Sequence, residues 1–420
     1  MSRGRETIRS GPCSFKLSGV HRMHRLILLL ALSLAAACWQ GCTSNLLRGA
    51  PPAPKPADPS FRFNAEKLKE LDATIELAIR EQRMPGAMLW VEHRGSVYQK
   101  VYGQRSLEPL TEPMTEETIF DAASLTKVMA TTPAIMLLVE RGQLDLDAPV
   151  QRYIEEFRRG GKDEITVRQL MTHTSGLRAG LSPRPDGART AIAMACNEKV
   201  VNPVGTTFVY SDINFIMLGE LVERVSGYPL EKFVVDEIFR PLRMRDTRYL
   251  PFSTDKARIA PTERDGTNML RGVVHDPTAR RMGGVAGHAG VFTTTSDAAR
   301  FARMMVNQGE LDGVRLFRPA TVALMTSVQS PAAVGARRGL GWDIDSGYAR
   351  RGEVFPMGSY GHTGYTGTAL WIDPFSKTFW ILMSNRVHPD NKGDIRALQR
   401  VVSTLAAEAT GLERKQPVAK

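Results

Sequence analysis

The sequence predicts an α+β fold, an antiparallel sheet flanked by helices and interrupted by a mainly helical inserted subdomain. Three observations predict it. Apolar and aromatic runs of strand length sit near both ends of the folded part. The stretch between them, about 140–285, is dominated by helical periodicity, and helix patterns bracket the strands at either end. Strands at both ends with helices between describe a sheet domain split by an insertion, and active sites often sit at such a junction.

The elements follow in order. Ala65–Glu81 carries Leu68, Leu71, Ile75 and Ile79 on one face, the spacing of an amphipathic helix. Ala87–Glu92 and Val97–Gly103 flank a turn at Arg94-Gly95, a hairpin pattern. Helical patterns fill 125–245, among them Ile213–Val225 and Leu230–Ile238. Gly290–Thr294, Gly339–Ile344, Thr368–Ile372 and Phe379–Ser384 read as strands, and a last helix runs from about Asp394 to Ala409. Pro133 falls inside the helix after Ser124, where it removes one hydrogen bond and should kink it.

Ahead of this domain lies a targeting device. Leu26 to Ala37 is a short apolar run behind His24 and Arg25. It falls well below the ~20 residues of a membrane span and reads as a secretory signal peptide. Cys42, with Cys38 as the alternative, resembles the lipidation cysteine of bacterial lipoprotein signals. Five prolines between Pro51 and Pro59 suit an extended tether. The expected division is signal with lipidation site 1–42, Pro-rich tether 43–64, folded domain 65–411 and tail 412–420. The chain is then exported and held at the periplasmic face of a bacterial membrane through a lipid anchor, or periplasmic or secreted if it is not lipidated.

The net charge of +11 does not imply a nucleic-acid partner. Six basic side chains and one acid lie within residues 1–42, and the rest of the excess is dispersed without basic blocks. Cys196 is the one cysteine beyond the signal region, so no disulfide framework exists, and it reads as a small buried apolar residue. No histidine pair has zinc-ligand spacing, so no metal is expected. Gly283–Gly290 lacks the lysine and the strand–loop–helix setting of a phosphate loop, and no cofactor is expected. No Gly-x-Ser-x-Gly elbow is present.

The chemistry rests on three elements. Ser124-Leu125-Thr126-Lys127 puts a lysine one turn from a serine at a helix start. There the free backbone N–H groups and the helix dipole favour developing negative charge. Ser253-Thr254-Asp255-Lys256 has the same spacing in polar surroundings after Pro251, where Ser253 reads as a helix cap. Tyr210-Ser211-Asp212 opens a helix and offers a hydroxyl able to shuttle a proton. His362-Thr363-Gly364-Tyr365 is expected to open a strand running into Trp371.

In this order the three elements resemble the penicillin-binding and class C β-lactamase-like serine hydrolases, with the segments Ile165–Leu177 and Gly142–Val150 in support. The resemblance spans about Leu71 to Asn385 and implies a β-lactamase/transpeptidase-like fold. It implies that Ser124 is acylated, that Lys127 and Tyr210 share acid–base work, and that the backbone N–H groups of Ser124 and Tyr365 form the oxyanion hole. Thr363 and His362 then help hold the substrate's carboxylate or the tyrosine, beside Gly364. Two positions depart from the family pattern. Asp212 replaces the usual Asn and should favour charged Lys127, shifting the base role toward Tyr210. His362 replaces the Lys of β-lactamases; a largely neutral imidazole gives a weaker positive field than ammonium, and a rate that changes with its protonation near neutral pH is expected. His288 is a possible cleft residue, and Thr174-Ser175-Gly176 reads as a structural turn. The implied substrate is a small molecule or peptide derived from peptidoglycan, most simply a D-alanyl peptide. An esterase, a β-lactamase or a non-catalytic penicillin-recognising module are the alternatives.

Overall fold

The computed structural model describes residues 60–413. The signal-like run, Cys38, Cys42 and the prolines of the tether lie outside the described residues, as do residues 414–420. Among the described residues no helix is long and apolar enough to cross a membrane.

The chain enters through α1 (Ala65–Arg80), whose first turn is capped by Asn64 accepting from the N–H groups of Glu66 and Lys67. The tether was expected to reach residue 64, but the folded part starts earlier. The Phe61 ring packs 4.6 Å from His93, and the Asn64 N–H donates to Ala409 O at 2.8 Å. Next come β1 (Gly86–His93) and β2 (Ser96–Ser106). Arg94 and Gly95 between them both take positive φ, the backbone a two-residue hairpin needs to match strand twist. The short β3 (Glu112–Pro113) and β4 (Ile119–Asp121) follow.

A π turn at Lys127–Thr131 then runs straight into α2 (Thr132–Glu140). The widened turn lies directly before Pro133, whose ring an ordinary α turn could not accommodate against the preceding carbonyls. The insertion supplies α3 (Asp212–Ser226) and β5 (Arg248–Tyr249), and the chain returns through β6 (Val291–Thr294) and α4 (Thr295–Val306). The main sheet continues with β7 (Arg337–Arg338), β8 (Asp343–Asp345), β9 (Tyr360–Thr363), β10 (Ala369–Asp373) and β11 (Thr378–Ser384), and α5 (Arg396–Ala409) closes the fold.

The main sheet has the order β7-β8-β9-β10-β11-β1-β2-β3, with its neighbours antiparallel. Thus β11 lies beside β1, joining the two ends of the sequence as the split-sheet reading expects. Alternation sorts the side chains. Ala87, Leu89, Val91, Trp371, Trp380 and Leu382 pack with Leu71, Ile75, Val402 and Leu405 of α1 and α5. Met88, Trp90, Leu370, Ile372, Ile381 and Met383 belong to the larger core shared with α4 and the helical part. A smaller sheet, β4-β6-β5, sits where the insertion leaves and rejoins.

Two strand expectations need correction. Gly339–Ile344 is not one strand, because Gly341 at φ +77 breaks it and packs so tightly on Thr132 that a Cβ would lie 2.1 Å from Oγ1. His362-Thr363-Gly364 ends a strand rather than opening one. β9 stops at Thr363, and a turn through Tyr365 and Gly367 separates it from β10.

Candidate active site

β4 aims the chain at the site. Asp121 at its end accepts from Ala123 N–H at 2.8 Å and from His275 N–H at 2.7 Å, and Ala123 is held at φ +47. A left-handed alanine is uncommon, and the strain persists because the surrounding bonds over-determine it. The chain leaves this corner as the helix that starts with Ser124.

The turn after β9 is bolted to the same corner. Thr366 Oγ1 donates to Asp121 O at 2.8 Å and Thr368 Oγ1 to Ala122 O at 3.0 Å. Gly364 sits between, where a Cβ would lie 2.1 Å from Thr368 Oγ1 and 2.6 Å from Ala122 O. Among the described residues, the backbone N–H groups of Ser124 and Tyr365 donate to no protein acceptor. They stand on two loops tied to one another, as an oxyanion hole requires.

Lys127 is fully buried and its ammonium has three acceptors: Ser124 Oγ at 3.1 Å, Asp212 Oδ1 at 2.7 Å and His288 O at 3.0 Å. Burial opposes its charge, but Asp212 and then Tyr210 outweigh that and hold the lysine above its ordinary pKa. Tyr210 lies beside them, its ring centroid 5.0 Å from Lys127 Nζ, so its hydroxyl is electrostatically coupled to Ser124 and Lys127. Burial raises its phenol above the usual value against the opposing charge of Lys127. The sequence therefore brings Ser124, Lys127, Tyr210 and Asp212 together as expected, and Asp212 does favour charged lysine.

His173 backs the tyrosine. It takes the Ser211 N–H on Nδ1 at 3.1 Å and packs its ring 4.5 Å from Tyr210 and 5.2 Å from Phe215. It lies within the quoted Ile165–Leu177 segment, but nothing local in the sequence distinguished it from a turn residue. Gly176 nearby is structural, as expected, since a Cβ would strike Asn202 O at 2.1 Å.

His362 corrects an expectation. It is buried and donates Nδ1–H to Thr363 O at 2.8 Å, a tautomer assigned from that carbonyl, which leaves Nε2 as an acceptor. Burial, with Arg338 and Lys127 nearby, pushes it well below the usual histidine range. It is a neutral imidazole at neutral pH, and its ring lies 5.9 Å from Tyr210. This setting opposes a change of its charge near neutral pH.

His288 does border the site, by its main chain: its carbonyl receives Lys127, while Nε2 bonds Asp276 Oδ1 at 2.8 Å. Asp276 also caps a short helix through Ala279 N–H. Burial opposes its charge, but His288 outweighs it and holds the carboxyl below its usual range. Asp276-Pro277 was legible as a cap and not as a site residue. Asp212, Asp276 and His288 are close enough to share a cation, their ligand atoms within 4.8 Å, but the Lys127 ammonium already neutralises Asp212.

Elsewhere the sequence reading divides. Cys196 is buried and its thiol is pushed up to about 11 by burial, so it is inert as expected. Ser253 and Lys256 are exposed and far from this arrangement, but Ser253 caps nothing, because Phe252 holds the cap position and makes no side-chain bond.

The sequence over residues 67–403 matches the family model described as Beta-lactamase. An N-acetylmuramyl-L-alanine amidase of Bacillus subtilis (strain 168) is 33% identical over 369 residues, covering 78% of this chain and 82% of that protein. A putative D-alanyl-D-alanine carboxypeptidase of Salmonella agona (strain SL483) is 32% identical over 366 residues, covering 78% and 84%. A solved class C β-lactamase superposes with a TM-score of 0.68 at 21% identity, covering 84% of this chain and 98% of that one.

Proposed function

The chain belongs to the Beta-lactamase family and is a serine hydrolase, and from that premise we propose that it cleaves amide bonds of peptidoglycan-derived peptides through an acyl-enzyme on Ser124. The observation that carries the reading is the Lys127 ammonium, fixed 3.1 Å from Ser124 Oγ by Asp212 and a backbone carbonyl, with the Tyr210 ring 5.0 Å from that ammonium.

Lys127 and Tyr210 titrate as one coupled site. Because Asp212 stabilises the ammonium, loss of one proton from the pair leaves it on lysine and empties Tyr210. Tyr210 then takes the Ser124 proton as Oγ bonds the substrate carbonyl carbon. The resulting oxyanion is received by the N–H groups of Ser124 and Tyr365. Tyr210 passes the proton to the leaving nitrogen as the C–N bond breaks. Water repeats the sequence, giving its proton to Tyr210 and the acyl group up as a free acid while Ser124 regains its hydrogen.

Two bonds suit this chemistry, D-alanyl-D-alanine and muramyl-L-alanine, the bonds in the names of two relatives. Neutral His362 favours the second, because a D-alanyl leaving group carries a free carboxylate beside the scissile amide, and at the end of β9 this chain offers it an imidazole in place of a lysine. Thr363 and Gly364 shape that wall. On this reading the enzyme works outside the cytoplasm, at the periplasmic face of a membrane if Cys42 or Cys38 carries a lipid and free of it otherwise. Incubating the protein with defined muropeptides and weighing the products tests the reading. Release of intact peptide or of D-alanine, lost in Ser124→Ala, supports it, and unchanged substrates overturn it.

A further inference from the structure

One aromatic side chain at the mouth of this site has no structural task in view. Tyr348 is 49% exposed, yet its ring lies 5.3 Å from Tyr210 and 6.2 Å from Phe208. Its loop is not loose. Ser346 Oγ donates to Asp343 Oδ2 at 2.7 Å, Tyr348 N–H donates to Ser346 Oγ at 3.1 Å, and buried Arg350 donates to the carbonyls of Tyr348 and Ala349. Beneath it Arg338 is fully buried between Asp343 and the Phe208 ring. A large ring is thus held in solvent on a rigid support, in contact with the residue that handles the proton.

We infer that Tyr348, backed by Phe208, is a stacking platform for a pyranose ring of the substrate, a sugar subsite beside Ser124. The inference rests on the peptidoglycan reading and names the part of the substrate that is bound here. A tyrosine presents an apolar face with a polar rim, and two side-chain torsions make its ordering cheap in entropy. A pyranose matches it, with axial C–H groups on one face and hydroxyls around the edge. Because the Tyr348 ring lies 5.3 Å from Tyr210, and Tyr210 packs 5.0 Å from the ammonium that bonds Ser124, a group linked to the acyl carbon falls within reach of this ring. A sugar joined to that carbon through a short lactyl ether meets this geometry, whereas a bare peptide leaves the face wet.

The test uses the full-length protein and two substrates with the same lactyl-L-alanyl amide, N-acetylmuramyl-L-alanyl-D-isoglutamine and lactyl-L-alanyl-D-isoglutamine. The ratio of their kcat/KM values isolates the sugar. Tyr348→Ala should lower this ratio about tenfold, within the range an aromatic face contributes, and Tyr348→Trp should retain it. An unchanged ratio in Tyr348→Ala, or equal losses on both substrates, overturns the inference. Binding is read separately, by saturation-transfer NMR of methyl N-acetylmuramide on Ser124→Ala protein. Ring-proton signals that vanish when Tyr348→Ala is added support the subsite even if neither amide is cleaved, in which case the amidase reading alone fails. Signals that persist in the double variant, or that are absent before it, overturn the subsite even if both amides are cleaved.

Discussion

Lys127 Nζ lies 2.7 Å from Asp212 Oδ1, an ion pair whose lysine is fully buried and whose carboxylate is one-third exposed. That pair decides where the site's proton vacancy falls. An amide at position 212 would leave Tyr210 alone to oppose burial, which lowers the lysine's pKa. An aspartate raises it and assigns the base role to tyrosine.

The pH dependence follows with a definite sign. Activity should rise with pH along an alkaline limb as the Lys127–Tyr210 pair loses one proton. In Asp212→Asn the lysine binds its proton less tightly, so the limb should move to lower pH. The maximum should fall about tenfold or more as the lysine loses its anchor. A kcat/KM profile from pH 6 to 10.5 measures both, and a limb that stays in place removes Asp212 from the account.

His362 should leave no mark between pH 6 and 8, because burial and the nearby cations hold it neutral across that range. His362→Lys installs the missing cation at the end of β9. Turnover of a D-alanyl-D-alanine peptide with a free carboxylate should then rise about tenfold relative to its carboxamide, the scale of a charge-assisted hydrogen bond. Paired kinetics on the acid and the amide decide it. No change in their ratio would mean that the carboxylate never approaches this strand.

Gly364→Ala should damage chemistry more than folding. Its Cβ would meet Ala122 O and Thr368 Oγ1, pushing the Tyr365 N–H away from the nucleophile corner. A displaced oxyanion donor costs about 10²–10³ in kcat. Calorimetry beside steady-state kinetics separates this from a global loss of structure.

Trp380→Ala probes the opposite case. Trp380 is fully buried opposite Trp371 and donates Nε1–H to Ser403 Oγ at 2.9 Å, joining the sheet to α5. The truncation should cost about 3–5 kcal/mol of stability. Denaturant titration should show that loss, while the protein that remains folded keeps its kcat.

These contrasts indicate what a linear sequence can carry. Ser124 and Lys127 were legible because one helical turn makes them neighbours, and β1 because its apolar run is bounded by turn residues. A sheet shared by strands from both ends followed from the helical stretch between them, though not that β1 and β11 would be its joining pair. Asp276 and Tyr348 were not legible, since each reaches the site through loops remote from Ser124 and looks locally like a cap or a surface residue. The neutral state of His362 was expected, but a titration near neutral pH was expected too, and the structure opposes it for the same reason. The charge state is set by burial and by Arg338 across the fold, neither of which appears in His-Thr-Gly. The strand boundary at Thr363 depended on Gly364 having to pass against Ala122, another contact between distant segments.

The central claim is that Ser124 is acylated and that Tyr210 moves the proton. Rapid-quench intact-mass analysis with a muramyl-L-alanyl peptide tests it most directly, using wild-type, Ser124→Ala and Tyr210→Phe proteins side by side. The account predicts a transient mass increase equal to the acyl fragment, mapped to the peptide holding Ser124, absent in Ser124→Ala and formed at least about 10²-fold more slowly in Tyr210→Phe. Peptide cleavage at the wild-type rate in Ser124→Ala, or acylation undiminished in Tyr210→Phe, would contradict it.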